Sequence, residues 1–108
     1  MEFARTGLFE PYRLEGRALA EHDLGHAKES QQALDELIAK WTFNWAYQIA
    51  QVYAWRGDKG KAFEWLDRAY TQDDWGLLQL KIDPLLAKVR DDPRYAALLK
   101  KMGLPAGK

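Results

Sequence analysis

A single glycine, Gly57, set between two helical periods constrains this chain more than any other feature. Residues 46–69 read AYQIAQVYAWRGDKGKAFEWLDRA. Upstream of the glycine, Trp45, Ile49, Val52 and Tyr53 recur at steps of three and four, the spacing of one face of an amphipathic helix. Ala46, Ala50 and Ala54 form a second stripe at steps of four, smooth enough for another helix to approach closely. Gly57 ends this helix, because only glycine enters the left-handed C-cap conformation without a steric penalty. Downstream, Ala62, Leu66, Ala69 and Tyr70 line one face of a second helix, with Phe63 and Trp65 beside it. Two helices joined by so short a turn predict an antiparallel αα-hairpin.

These residues resemble a tetratricopeptide repeat, whose signature is W-x2-L-G-x2-Y followed by A-x3-F, with a glycine turn between. Ile49, Ala50 and Tyr53 stand where the L, G and Y belong. Ala62 and Leu66 stand for the A and F, and Ala69 for the small residue one turn later. Ala46 replaces the first aromatic, with Trp45 supplying its bulk, and Asp74 replaces the closing proline.

The same device occurs once upstream. Pro11 opens a helix reaching Leu24, with proline tolerated in the first turn and Leu14, Ala18 and Leu24 as its buried side. Gly25 repeats the role of Gly57, and a return helix follows from Ala27 to Lys40 through Leu34, Leu37, Ile38 and Trp41. The two glycines lie 32 residues apart, close to the repeat length of about 34 in this class. Aligning them pairs Ala18 with Ala50, Ser30 with Ala62, Leu34 with Leu66 and Leu37 with Ala69. Arg17 and Glu21 fall opposite Ile49 and Tyr53, the degeneracy expected of a terminal repeat with one face in water. Residues 1–10 carry Phe3, Leu8 and Phe9 without a period and read either as the end of a preceding helix or, at Met1-Glu2-Phe3, as an expression remnant.

Beyond Tyr70 the pattern changes. Thr71 to Asp74 is polar, and Leu78, Leu80 and Ile82 alternate. No second strand exists to pair with them, so an extended or single-turn helical segment laid over the repeats is expected. Asp83-Pro84 and Asp92-Pro93 are two copies of one helix start, an N-cap aspartate followed by proline at the first helical position. The first opens a short helix with Leu85, Leu86 and Val89. The second opens a longer one with Tyr95, Leu98, Leu99 and Met102, closed by Lys100, Lys101 and Gly103. The stretch from Leu80 through Pro84, Pro93 and Tyr95 to Pro105 is similar to the ending of many bacterial multidomain proteins. In those, tetratricopeptide repeats follow a winged-helix, nucleotide-cyclase or kinase domain. The resemblance implies that residues 11–105 are the tail of a longer protein, and no catalytic or DNA-reading motif of such upstream domains is found here.

With 108 residues and 47% hydrophobic composition, the chain is one small globular domain with a modest core. Sixteen basic residues balance sixteen acidic ones, so nothing favours a polyanion or an anionic membrane. Cysteine is absent, which excludes disulfides and thiolate metal sites and suits the cytoplasm. No apolar run approaches a membrane span, and no signal-peptide core is visible.

Candidates for chemistry have simpler readings. His22 and His26, near Glu21, Asp23 and Glu29, would need one continuous helix to share a metal, and Leu24-Gly25 reads as a helix end. Asp73-Asp74 and Asp91-Asp92 sit at helix boundaries, where capping accounts for them. The stretch Gly57-Asp-Lys-Gly60-Lys lacks the spacing and preceding strand of a phosphate loop. Among the five tryptophans, Trp45, Trp65 and Trp75 read as core or lid residues. Trp55, Tyr47, Gln51 and Asn44 belong to neither helical stripe. The resemblance implies that the first helix of each hairpin lines a concave peptide-binding face. That face would carry Asn44, Tyr47, Gln51 and Trp55, with Tyr12, Glu15, Leu19 and His22 from the first hairpin. The alternative for these residues is an ordinary wet surface. Glu15 and Tyr47 occupy sites where lysine would be needed to clamp a C-terminal carboxylate, which disfavours ligands of the Hsp90-tail type.

The expected architecture is therefore all-α, a tetratricopeptide-like superhelix. It has an extension over 1–10, a degenerate hairpin over 11–40, a second hairpin over 42–72 and a cap over 75–105. The expected function is protein–protein interaction or scaffolding without catalysis, cofactor, metal, nucleic acid or membrane. The alternative is a structural cap or homo-oligomerisation domain.

Overall fold

The computed structural model describes residues 10–41 and 45–103, and all regular structure in them is helical. In order these are α1 (Glu10–Asp23), α2 (Ala27–Trp41), α3 (Ala46–Arg56), α4 (Lys59–Thr71), the 3-10 helices η1 (Trp75–Gln79) and η2 (Pro84–Val89), and α5 (Pro93–Lys101).

Both predicted breaks occur at their glycines. Gly25 and Gly57 have φ of 81° and 82°, in the left-handed region that glycine alone enters freely. At the second break, the Gly57 N–H donates to the Ala54 carbonyl (3.0 Å) and the Asp58 N–H to the Tyr53 carbonyl (2.9 Å). The first break has the same pair of bonds, Gly25 to His22 (3.0 Å) and His26 to Glu21 (2.8 Å). Carbonyls that a helix end would otherwise orphan are thus satisfied by the turn itself. Asp58 starts α4 by accepting from the Lys61 N–H at 3.3 Å.

Helix α1 packs on α2, α3 on α4, and α1 on α3. The residues paired by the 32-residue offset, Ala18/Ala50, Ser30/Ala62, Leu34/Leu66 and Leu37/Ala69, are all buried. Ser30 is the one polar member, and its bonds explain why it is tolerated. Its hydroxyl donates to the Ala18 carbonyl and accepts from Arg56 Nη2, each at 2.6 Å. It therefore ties the first hairpin together and fastens the second to it. Leu24, expected on the buried side of α1, is exposed, because it follows the last helical residue and leads into the left-handed turn.

In the C-terminal segment burial recurs every three residues, not every two as the alternation of Leu78, Leu80 and Ile82 suggests. Leu77, Leu80, Asp83, Leu86 and Val89 are all buried, at steps of three. A 3-10 helix has 3.0 residues per turn, so every third residue returns to one row. Leu80 belongs to the buried row, whereas Leu78 and Ile82, its partners in the apparent alternation, point outward at 77% and 80% exposure. Trp75, expected in the core or lid, is 83% exposed, in the outward row with Leu78. Asp74, Asp83 and Asp92 cap η1, η2 and α5 by accepting from the N–H two residues on, so the Asp-Pro starts behave as read. Helix α5 buries Tyr95, Leu98 and Leu99, and Gly103 follows it with φ of 79°.

Segment η1 lies close to α3. A methyl placed on Gly76 would stand 2.6 Å from Cδ2 of Tyr47, so the absent side chain is what admits the Tyr47 ring. Segment η2 packs along α3. Leu80, Leu86 and Val89 have no exposed surface in this arrangement.

Candidate functional site

The face on which the concave binding surface was expected is an interior joint. Asp83, buried at the junction of η1 and η2, is its centre. The Tyr47 hydroxyl donates to Asp83 Oδ2 at 2.6 Å, and Gln51 Nε2 donates to the same oxygen. The Leu85 N–H donates to Oδ1 at 2.9 Å, and Arg90 Nη2 donates to the Asp83 backbone carbonyl at 2.6 Å. One aspartate thus starts a 3-10 helix and anchors it to two side chains of α3. Burial first, and then the bond to Asp83, pushes the Tyr47 hydroxyl well above the ordinary phenol range.

Glu15, from α1, faces the same joint. Burial, and secondarily the negative charge of Asp83, pushes its carboxyl up to about 8. Its Oε2 is buried and has no hydrogen-bond partner among the described residues. Near neutral pH this carboxyl is mostly protonated, which lowers the penalty of holding two acids in one interior.

The expectation that Tyr47, Gln51 and Glu15 lie on an open concave face is overturned. Tyr47 has no exposed surface, and Gln51 and Glu15 are 7% exposed. They fell outside the apolar stripes because what covers them is polar. The hydroxyl and amide of α3 meet a carboxylate rather than a hydrocarbon. Trp55 is half-buried and also structural. Its Nε1 donates to Asp23 Oδ1 at 2.7 Å, its carbonyl accepts from Lys88 Nζ at 2.7 Å, and that ammonium stands 5.2 Å from the ring centroid. It links the ends of α1 and α3 to η2. Leu19 is partly buried against the core, and His22 is half-buried near the end of α1. Tyr12 is 53% exposed. Asn44 lies outside the described residues.

Of the two acid pairs, Asp74 and Asp92 cap helix starts, and Asp73 takes a left-handed turn position with φ of 56°. His26 Nδ1 sits 2.7 Å from Glu21 Oε1 across the Gly25 turn. Among the described residues no group of three His, Cys, Asp or Glu is placed to hold a metal ion. Asp92 is held down at about 2, first by its side-chain bond with Arg94 and then by the Arg94 N–H it caps. No described helix is long and apolar enough to cross a membrane.

Two surface features remain, both at η1. Trp75 and Leu78 of η1, and Ile82 just after it, are exposed apolar side chains. Beside them, a cleft of about 600 Å³ opens between the starts of α1 and α3 and the turn into η1. Tyr12, Trp45 and Trp75 supply its aromatic lining, and Gln48, Gln72, Asp73, Asp74 and Gln79 its polar lining. The Tyr12 and Trp45 rings meet edge to face, with centroids 4.7 Å apart and planes at 85°. Sequence reasoning missed this cleft because its residues come from three separate turns. It also missed the hub role of Asp83, which the three-residue period from Leu77 to Val89 would have signalled. The chain matches no protein-family model, no curated protein and no solved structure.

Proposed function

We propose that the chain is a protein–protein interaction or scaffolding module, built as two tetratricopeptide-like hairpins closed by a C-terminal cap. The hairpin order, the shared glycine turns and the packing of α1 on α3 support the repeat reading. In this reading the face of Tyr47 and Gln51, where a peptide would be received, is covered by the chain's own η1–η2 segment. Partner contact is therefore assigned to the outer side of that segment.

The observation that carries this reading is the exposure of Trp75, Leu78 and Ile82, at 83%, 77% and 80%. Single exposed apolar residues are ordinary, but three large ones within eight positions of one short segment are the feature on which this reading places partner contact. The opposite side of the same segment is anchored by Leu77 and Leu80, so a partner would meet a supported surface.

Site-specific photo-crosslinking in cells of the source organism tests this. A benzophenone amino acid at position 78 should yield a discrete protein adduct, diminished by Ile82→Ser. The same probe at exposed Lys100 should yield none. Equal crosslinking from both positions would sink the proposal. Adducts formed only between copies of the chain, with a dimer in sedimentation, would favour the homo-oligomer reading instead.

A further inference from the structure

We propose that the cleft between α1, α3 and η1 is a binding site for an alkylammonium group, a protonated amine carrying at least one N–H. Its ligand chemistry follows from four properties of the lining. First, charge is of one sign among the described residues: Asp73 and Asp74 are the charged residues of the lining. Second, three aromatic rings line the cleft. Tyr12 and Trp45 stand at 85° to each other, making a corner, and Trp75 adds a third ring. Ring faces attract an ammonium through their quadrupole, and enclosure by several rings is the usual way an alkylated amine is recognised.

Third, one lining residue holds a buried acceptor without a donor. Gln48 lines it, is only 9% exposed, and its Oε1 is buried with no hydrogen-bond partner among the described residues. A buried unsatisfied acceptor is costly, and a ligand N–H would relieve that cost. This selects an ammonium with a hydrogen to give over a quaternary one. Fourth, one carboxylate is held in place beforehand. Asp74 accepts from the Gly76 N–H at 2.8 Å and from the Tyr47 N–H at 3.1 Å, so little is lost in ordering it when a cation arrives. Asp73 is exposed, and its backbone has φ of 56°. Aspartate is among the few residues besides glycine that adopt this conformation readily.

Two sources would present this chemistry, a free alkylamine or a lysine side chain of a protein. The inference shares Trp75 with the apolar side of the segment but concerns a small cationic group, and Leu78 and Ile82 do not line the cleft.

The test uses the full chain and its five tryptophan indole N–H resonances. Titration with n-butylammonium should shift Trp45 and Trp75 saturably and leave Trp41, Trp55 and Trp65 in place. Tetramethylammonium should bind more weakly because it cannot donate to Gln48, and butan-1-ol should not saturate. Asp73→Asn keeps the backbone conformation and should weaken n-butylammonium by about threefold to fivefold, the size of one solvent-screened charge pair. Trp75→Ala, at an exposed position, should weaken it by about twofold to fivefold through the lost cation–π contact. A capped Gly-Lys-Gly peptide binding at least about fivefold tighter than n-butylammonium, a gain of roughly 1 kcal/mol, assigns the source as a protein lysine, and equal or weaker binding assigns it as a free amine. Absence of saturable shifts at Trp45 and Trp75 would overturn the proposal. So would butan-1-ol matching the ammonium, or Asp73→Asn leaving the affinity unchanged.

Discussion

Replacing Glu15 with glutamine should abolish a loss of stability that the wild-type chain suffers on the alkaline side. The Glu15 carboxyl rises from its ordinary 4.5 to about 8 in the folded chain, through burial and then the charge of Asp83. The native state therefore keeps a proton that the unfolded chain releases. Stability is full below the unfolded value near 4.5, falls as pH rises through the interval, and levels off above about 8. At 1.36 kcal/mol per pH unit, the part of that interval between pH 5 and pH 9 amounts to about 4 kcal/mol. A domain of this size is stable by about 5–15 kcal/mol, so the loss is a large fraction of the total. Glutamine has nearly the same shape and no charge to bury. The variant should match the wild type near pH 5 and exceed it by about 4 kcal/mol near pH 9. Urea denaturation followed by circular dichroism at five pH values measures this. Other titrating groups act equally in both proteins and cancel in the difference. Parallel stability curves, or a wild type more stable than the variant at pH 9, would refute the assignment of Glu15 as a buried, proton-holding acid.

Three further outcomes follow from the packing. Gly57→Val should cost at least about 1–2 kcal/mol, the penalty of a left-handed backbone for a side-chain-bearing residue; an unchanged denaturation midpoint would contradict the φ of 82° at this position. Gly76→Ala should cost about 1–3 kcal/mol by overpacking against Tyr47, a clash that the same change at Gly60, with nothing within 4 Å, should not produce. Tyr47→Ala should cost about 3–5 kcal/mol as a core aromatic removed with its bond to Asp83, and a melting temperature within error of wild type would return Tyr47 to the surface.

The parts legible in the sequence are those set by local geometry. Gly25 and Gly57 announce themselves because few other residues take their backbone conformation. Asp83-Pro84 and Asp92-Pro93 announce helix starts because a carboxylate and a missing N–H suit those positions. The pairing of Ala18 with Ala50 and Leu34 with Leu66 follows from the offset between the glycines. The site was less legible. Tyr47, Gln51 and Glu15 look like surface when judged by hydrophobicity, since a polar side chain in a helix carries no mark of what lies over it. The partner that buries them, Asp83, is at least 32 residues away and had a complete local explanation as a cap. Trp75 misled in the opposite direction. Its size suggested burial, but its register in a three-residue period turns it outward. The cleft of Tyr12, Trp45 and Trp75 depends on the docking of η1 and has no local signature.

Native-state hydrogen exchange of the η1–η2 segment tests the central claim most directly, that this segment is seated on α3 as part of the core. The Leu80 and Leu86 amides donate only within their own short turns, to the Leu77 and Asp83 carbonyls at 3.1 Å each. Such single turns give almost no protection unless they are docked. If the segment is seated as described, Leu80 and Leu86 should exchange within about tenfold of Ala50 and Val52 in α3, a difference of no more than about 1.4 kcal/mol in opening free energy. Exchange of Leu80 and Leu86 at the rate of an unstructured peptide, while Ala50 and Val52 stay protected, would contradict it and would leave the face of Tyr47 and Gln51 open after all.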